Sequence, residues 1–219
     1  MINEVNEVNE INEVNKVSNI YPPVFRDHRV DDGGLWIFGY GSLMWRPGFD
    51  YLEKRSATLN GFHRAFCIYS THHRGTKDVP GLVLGLDQGA ACLGMAYRVA
   101  SNNAPDVVAY LDERELIGYA YIPILLPIVL EQDGDNPPET VIAYTFIADT
   151  SHPQYAGEMD ISKAAEIIMN AEGIAGLNRD YLINTVRHLE QVGSTDDKLH
   201  TLLNKVEQFT GSIDMGSGI

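Results

Sequence analysis

The segment Leu35-Trp36-Ile37-Phe38-Gly39-Tyr40-Gly41-Ser42-Leu43 constrains this chain more than any other. Bulky apolar residues of high strand propensity run straight into two glycines flanking a tyrosine, so a buried strand should end there in a tight turn. Gly39 and Gly41 give the backbone access to positive φ and let a ligand approach main-chain N–H groups closely. Any fold built on this segment therefore carries an anion-binding turn at the end of a core strand.

Tyr110-Leu111-Asp112-Glu113-Arg114-Glu115 closes a helical pattern. Asn103 is the expected N-cap, Pro105 lies in the first turn, and Asp106 sits at the positive dipole end. At roughly 100° per residue, Val107, Val108 and Leu111 define an apolar face. Glu115 falls on that face, Glu113 opposite it and Asp112 on a flank. Only Glu115 of the three acids is expected to point inward. A buried carboxylate is costly, so it needs a partner or a purpose. An ion pair with a nearby arginine or a frayed helix end would account for it; so would a general base acting on a small acidic substrate.

Strands are expected at 35–39, 58–70, 81–87 and 91–99, with a turn at Gln88-Gly89. The apolar run 116–130 is too short to span a bilayer as a helix. Its Pro123 and Pro127 suit an edge strand or a bulge. Residues 132–140 read as a loop and 141–147 as the returning strand of a hairpin. Three helices follow. Asp160 opens the first, which should end near Gly173. Asn178 caps the second, with Leu182, Val186 and Leu189 as its stripe and Gly193 as its stop. Thr195 caps the third, with Asp196 and Asp197 in its first turn, Leu199, Leu202, Leu203 and Val206 as its stripe, and Gly211 closing it. Strands first and helices later indicate an α+β class.

Six motifs in order make the chain recognisable. They are Ile37 to Leu43, Pro80 to Leu86, Gly94-Met95-Ala96-Tyr97-Arg98, Tyr110 to Glu115, His152-Pro153-Gln154-Tyr155, and Gly176 to Leu182. Together they resemble the ChaC-like γ-glutamylcyclotransferases, cytosolic enzymes that degrade glutathione. The resemblance implies a small mixed β-barrel with helices packed outside. It also implies that Ile37, Phe38, Gly39, Tyr40, Gly41 and Ser42 form the substrate-binding loop and that Glu115 is the catalytic base. Tyr155 is implied as a pocket residue, with His152 standing where many relatives carry Asn. The substrate implied is glutathione, cleaved to 5-oxoproline and cysteinylglycine without metal or cofactor, in the cytoplasm.

The formal charge of −14 and pI near 4.8 argue against nucleic acid or an anionic membrane as partner, since both demand basic patches. Cys67 and Cys92 show no disulfide framework or metal spacing and read as reduced strand residues. His72-His73-Arg74-Gly75 is expected to be a flexible loop over the pocket mouth. Arg46, Arg64, Arg74 and Arg98 are the candidates to hold a distal substrate carboxylate. No Gly-x-Ser-x-Gly elbow surrounds Ser42, so it reads as a binding rather than a nucleophilic residue.

The N-terminal residues repeat Asn-Glu-Val with a period of three, which matches neither helix nor strand. The expected organisation is a low-complexity, disordered tail at 1–18 that is not a signal peptide, a linker at 19–34, a single domain at 35–211 and a flexible end at 212–219.

Overall fold

The computed structural model describes residues 33–216 apart from Ile117 and Tyr119. The expected tail at 1–18 and most of the linker lie outside the described residues, as do residues 217–219.

Five strands close into a barrel in the order β1-β3-β2-β4-β5. They are β1 (Leu35–Gly39), β2 (Glu53–Ser70), β3 (Gly81–Val99), β4 (Tyr121–Leu130) and β5 (Glu139–Ala148). Helix α1 (Ala104–Glu115) connects β3 to β4. After β5 come α2 (Ile161–Asn170), the short strands β6 (Glu172–Gly173) and β7 (Gly176–Leu177), then α3 (Asn178–Gln191) and α4 (Asp197–Gly216). Neighbouring strands pair antiparallel except β1 and β5, whose parallel register sets Trp36 against Ala143 and Ile37 against Tyr144. This is the expected mixed barrel of an α+β protein.

Alternation along β1 feeds two cores. Phe38 joins a cluster with Leu59, Leu86, Cys92, Ile128 and Ala143, which draws on all five strands and on no helix; this is the barrel interior. Leu35 and Ile37 point the other way and pack with α1, α2, α3 and α4 through Val108, Leu111, Ile168, Leu182 and Val206. The period of two in β1 thus divides barrel lumen from helical coat.

The expected turn at Gln88-Gly89 is absent, and β3 runs unbroken from Gly81 to Val99. The register explains the misleading glycine. Between Asn60↔Ala91 and Phe62↔Gln88, β3 spends one residue more than β2. That is a bulge, and Gly61 opposite it takes φ +85°. A second shift between Ala65 and Ile68 gives the extra residue back on β2. Strand β2 also begins at Glu53 rather than 58, because its charged start pairs with β3 and Arg55 donates to the carbonyls of Glu131 and Pro137.

The hairpin β4–β5 forms in full register. β4 pairs with β2 at Val129 and Leu130, beyond Pro123 and Pro127, which lie where that edge of β4 needs no N–H donor. Two helix starts differ from expectation. Asn178 is the first residue of α3 rather than its cap, and its buried amide bonds both the N–H and the carbonyl of Leu82 at 2.7 Å. Asp196, not Thr195, caps α4, its carboxylate accepting from the Leu199 N–H at 3.2 Å. Asp160 caps α2 as expected, although α2 stops at Asn170 and the β6–β7 hairpin follows. α4 continues past Gly211 to Gly216, where a stop and then a flexible end were expected, since glycine permits a helix end without imposing one.

Candidate active site

The turn after β1 is built by close approach rather than by positive φ. Neither Gly39 nor Gly41 is in the left-handed region; Gly41 has φ −130°. A Cβ on Gly39 would lie 2.8 Å from that of Leu43, so glycine is required there by packing. The carbonyls of Gly41 and Ser42 accept the N–H groups of Met44, Trp45 and Arg46, closing a single 3-10 turn over Ser42–Met44. Arg64, 3% exposed, anchors the turn from below by donating to the Tyr40 carbonyl at 2.5 Å.

Helix α1 brings the carboxylate. Ala104, Val107, Val108 and Leu111 are buried along its stripe, and Glu115 at its last turn follows them inward. The Glu115 side chain is 25% exposed and lines a cavity of about 70 Å³ with Tyr40, Gly41, Ser42 and Leu43 of the turn. Leu84 from β3, Tyr121 from β4, Phe146 from β5 and Tyr181 from α3 complete it. Pockets that enclose a drug-sized ligand run to roughly 300–1,000 Å³, so this one suits a small arm of a larger molecule. Two larger cavities, about 380 and 400 Å³, lie between the β2–β3 ribbon and α4. Of the residues expected at the site they hold Arg64 alone, which is committed to the Tyr40 carbonyl, and their size alone does not give them chemistry.

Burial pushes the Glu115 carboxyl above its ordinary range, and the Arg114 guanidinium, 3.2 Å away, pulls it back down. Tyr40, Tyr121 and Tyr181 are each pushed up by burial, Tyr181 to about 12. All three are therefore neutral phenols at physiological pH, and the Tyr121 hydroxyl donates to the Leu84 carbonyl at 2.6 Å. The arrangement can hold an ionised base in a water-poor setting lined by neutral polar groups.

The structure brings Tyr40, Gly41, Ser42 and Glu115 together and leaves four expected residues apart. Ile37 and Phe38 are fully buried in the two cores and support the turn from behind, while Gly39 packs against Leu43. Tyr155 does not line the cavity. It bridges to Ile68 on the edge of β2, and its hydroxyl donates to Asp87 at 2.8 Å. Glu115 is not alone in turning inward either. Asp112 accepts a hydrogen bond from the Tyr144 phenol, and burial raises its carboxyl as well.

Sequence reasoning missed Arg114 and Tyr181. Arg114 was visible as the neighbour of Glu115 in the same motif, and its pairing was among the alternatives left open. Tyr181 lay inside a quoted motif with no signal of its own. The segment 72–75 is held rather than flexible. The His72 and His73 carbonyls accept N–H groups from Ile174 and Ala175. Arg74 reaches the carbonyls of Ala175 and Leu177, with its guanidinium 5.2 Å from the Tyr181 ring centroid. Of the four candidate arginines, Arg64 is buried and committed, Arg98 pairs with Glu53 at 2.9 Å, Arg46 is exposed, and Arg74 stands against a cavity wall.

The closed five-stranded mixed barrel with helices packed outside is a cyclotransferase-like fold. The family model described as ChaC-like protein matches residues 35–209, and the chain belongs to that family. The glutathione-specific gamma-glutamylcyclotransferase of Escherichia coli (strain K12) is 39% identical over 181 residues, covering 83% of this chain and 76% of its own. The protein of the same name from Schizosaccharomyces pombe is 32% identical, covering 77% and 89%. The crystal structure of a yeast γ-glutamyl cyclotransferase specific to glutathione shares the fold, with a TM-score of 0.71 at 24% identity over 81% of this chain and 97% of that one.

Proposed function

We propose that the chain is a γ-glutamylcyclotransferase that converts glutathione to 5-oxoproline and cysteinylglycine. The observation that carries the reading is the Glu115 carboxylate, half-buried in one small cavity with the Tyr40-Gly41-Ser42 turn. The names of the similar proteins from Escherichia coli and Schizosaccharomyces pombe supply the substrate.

The chemistry needs little from the protein because the nucleophile is tethered. The α-amine of a γ-glutamyl group reaches its own γ-carbonyl and closes a five-membered ring, so placement replaces a bimolecular encounter. Glu115 takes a proton from the α-ammonium, freeing the lone pair that attacks the γ-carbon. The carbonyl electrons move to oxygen, and donors in the turn stabilise that charge. As the carbonyl reforms, the bond to the cysteinyl nitrogen breaks and Glu115 returns its proton to the departing amine; the second proton, shed by the attacking nitrogen as it becomes the lactam N–H, passes to the same amine, which leaves as an ammonium. Atoms and charge balance with neither water nor cofactor.

In this reading the N–H groups of the Tyr40-Gly41-Ser42 turn and the Ser42 hydroxyl hold the γ-glutamyl head, while the cysteinylglycine part projects out of the cavity. Arg74 is the cation best placed for a distal carboxylate. A cytoplasmic location belongs to the same proposal. It is supported by two buried free thiols, Cys67 and Cys92, pushed up to about 12 and about 11 by burial and hence unreactive. The test is 5-oxoproline release measured across glutathione, γ-glutamyl amino acids and γ-glutamyl amines. Turnover of glutathione far above the rest is expected; turnover of none would sink the proposal.

A further inference from the structure

We propose that Arg114 is the positioning residue of the site: one guanidinium fixes both where the Glu115 carboxylate stands and which way the Ser42 hydroxyl points. The inference rests on Glu115 being the base and adds to it the element that ties base and binding turn together.

The contacts account for the guanidinium from every side. Nε stands 3.2 Å from Glu115 Oε1. Nη2 donates to Ser42 Oγ at 2.7 Å. Nη1 donates to the Arg46 carbonyl at 2.9 Å and to the Tyr110 hydroxyl at 3.0 Å, with the Pro47 carbonyl at 3.5 Å. Glu115 comes from α1 and Ser42 from the turn after β1, far apart in the chain. The planar fork reaches both at once, held on the helix side by Tyr110 and on the loop side by the Arg46 carbonyl. A lysine, with one point charge on a flexible stem, would not hold that geometry.

Polarity follows from the donor inventory. Arginine has donors and no acceptor, whereas a serine hydroxyl has one proton and two lone pairs. Ser42 Oγ must therefore accept from Arg114, and its own proton is left to point elsewhere. Ser42 lines the cavity, so its hydroxyl is presented there as a donor, suited to a carboxylate or a developing oxyanion.

The same contact bears on ionisation. The titratable groups facing Glu115 from the packed elements are Tyr40 of the turn, Tyr121 of β4 and Tyr181 of α3, all neutral phenols. Leu84 of β3 and Phe146 of β5 add no charge. Arg114 is the cation that offsets the desolvation of Glu115.

The experiment uses Arg114→Gln, Arg114→Lys, Ser42→Ala and the double variant Ser42→Ala/Arg114→Gln, with melting curves to confirm folding. Arg114→Gln is expected to lose turnover by about 10²-fold, the scale of a 1 Å misplacement. The acid limb of its kcat profile should move to higher pH. The Glu115 carboxyl, followed by carbon NMR and assigned by its disappearance in Glu115→Gln, should titrate higher as well. Ser42→Ala should cost several-fold less in the Arg114→Gln background than in the wild type. Arg114→Lys keeps the charge but not the fork, so it should return the limb toward wild type while leaving Ser42 uncoupled. An unmoved acid limb and carboxyl titration in Arg114→Gln, or additive effects of Ser42 and Arg114, would reduce Arg114 to a packing residue and overturn the proposal. Turnover retained by Glu115→Gln would instead remove the base assignment, a separate failure read from a separate variant.

Discussion

Glu115 is where the energetic cost of the fold is set against its chemistry. A carboxylate drawn most of the way out of water destabilises the folded chain unless it is neutralised or paired. Here burial wins over Arg114, and the folded pKa lies above that of an exposed glutamate. Two outcomes follow with opposite signs. As general base, Glu115 must be ionised, so activity should fall as pH drops through its raised pKa, seen as an acid limb in kcat. For stability, the folded state binds its proton more readily than the unfolded state. The penalty from Glu115 is therefore full above the folded pKa and vanishes as pH falls below the unfolded value. Glu115→Gln, nearly isosteric but unable to accept the ammonium proton, should lose ~10²–10⁴-fold in rate while melting no lower than wild type at neutral pH. Glu113→Gln, exposed on the opposite face, should match wild type in both 5-oxoproline formation and melting. An active Glu115→Gln or an inactive Glu113→Gln would dismiss the base. At this scale the sequence was legible where a single helix carried the information. The stripe Val107, Val108, Leu111 put Glu115 inward without knowledge of any neighbour. It set Asp112 on a flank and missed its inward turn, because the phenol that draws it in, Tyr144, arrives from β5. It gave no sign of the partners of Tyr155, since Ile68 and Asp87 lie on two other strands.

Among the elements, α3 reaches the site through one side chain at each end of its first turn. Asn178 clamps the Leu82 peptide groups in β3, and Tyr181 beside it faces the cavity two residues along that strand, where Leu84 lies. Asn178→Ala would strand a buried N–H and a buried carbonyl, each costing about 1–3 kcal/mol. The expected loss of ~2–6 kcal/mol corresponds to a fall in Tm of roughly 4–24 °C for a chain of this size. Because Tyr181 would lose its tether, kcat should fall with stability, whereas Asn184→Ala, on the exposed side of α3, should change neither. A melting curve and a turnover assay decide it, and an unchanged Tm would mean that Asn178 is not the clamp. The same residue shows why helix starts were only partly readable. Asn at an expected N-cap position is a good cap by local chemistry, but a partner strand offered it two buried peptide groups instead. Gly89 misled in a similar way: alone it signals a turn, whereas in the ribbon it answers the bulge at Gly61 and lies tight against His63.

At the level of the molecule, the strand and helix content was legible from periodicity, but the closure of the barrel was not. Strands β1 and β5 pair in parallel across more than a hundred residues of chain through two registered positions, and nothing local announces that seam. The resemblance, not the pattern, predicted the barrel. Two properties of the whole chain can be tested on this frame. No group of three or more His, Cys, Asp or Glu side chains gathers to hold a metal ion among the described residues, and the proposed chemistry uses none. Turnover should thus survive exhaustive chelation with EDTA, and a loss restored by a divalent ion would show the site misread.

Removal of residues 1–18 tests whether the barrel stands on what is described of it. The barrel, both cores and the cavity draw their named residues from Leu35 onward. The turn is anchored by Arg64, the base by Arg114 and the helical coat by Asn178, each within 35–209. The repeated Asn-Glu-Val unit offers no consistent apolar face, since a period of three drifts round a helix and alternates irregularly along a strand. A segment with no such face has little apolar area to bury against the ordering entropy. The truncated chain should therefore keep its kcat/KM for glutathione and lie within about 0.5 kcal/mol of the full chain, the usual range for changes away from a core. Paired melting curves and 5-oxoproline assays on the two chains measure both. A substantial fall in Tm would place part of the repeat on the barrel surface, and the open edge of β4 between Ile122 and Ile128 would be the first place to look for it.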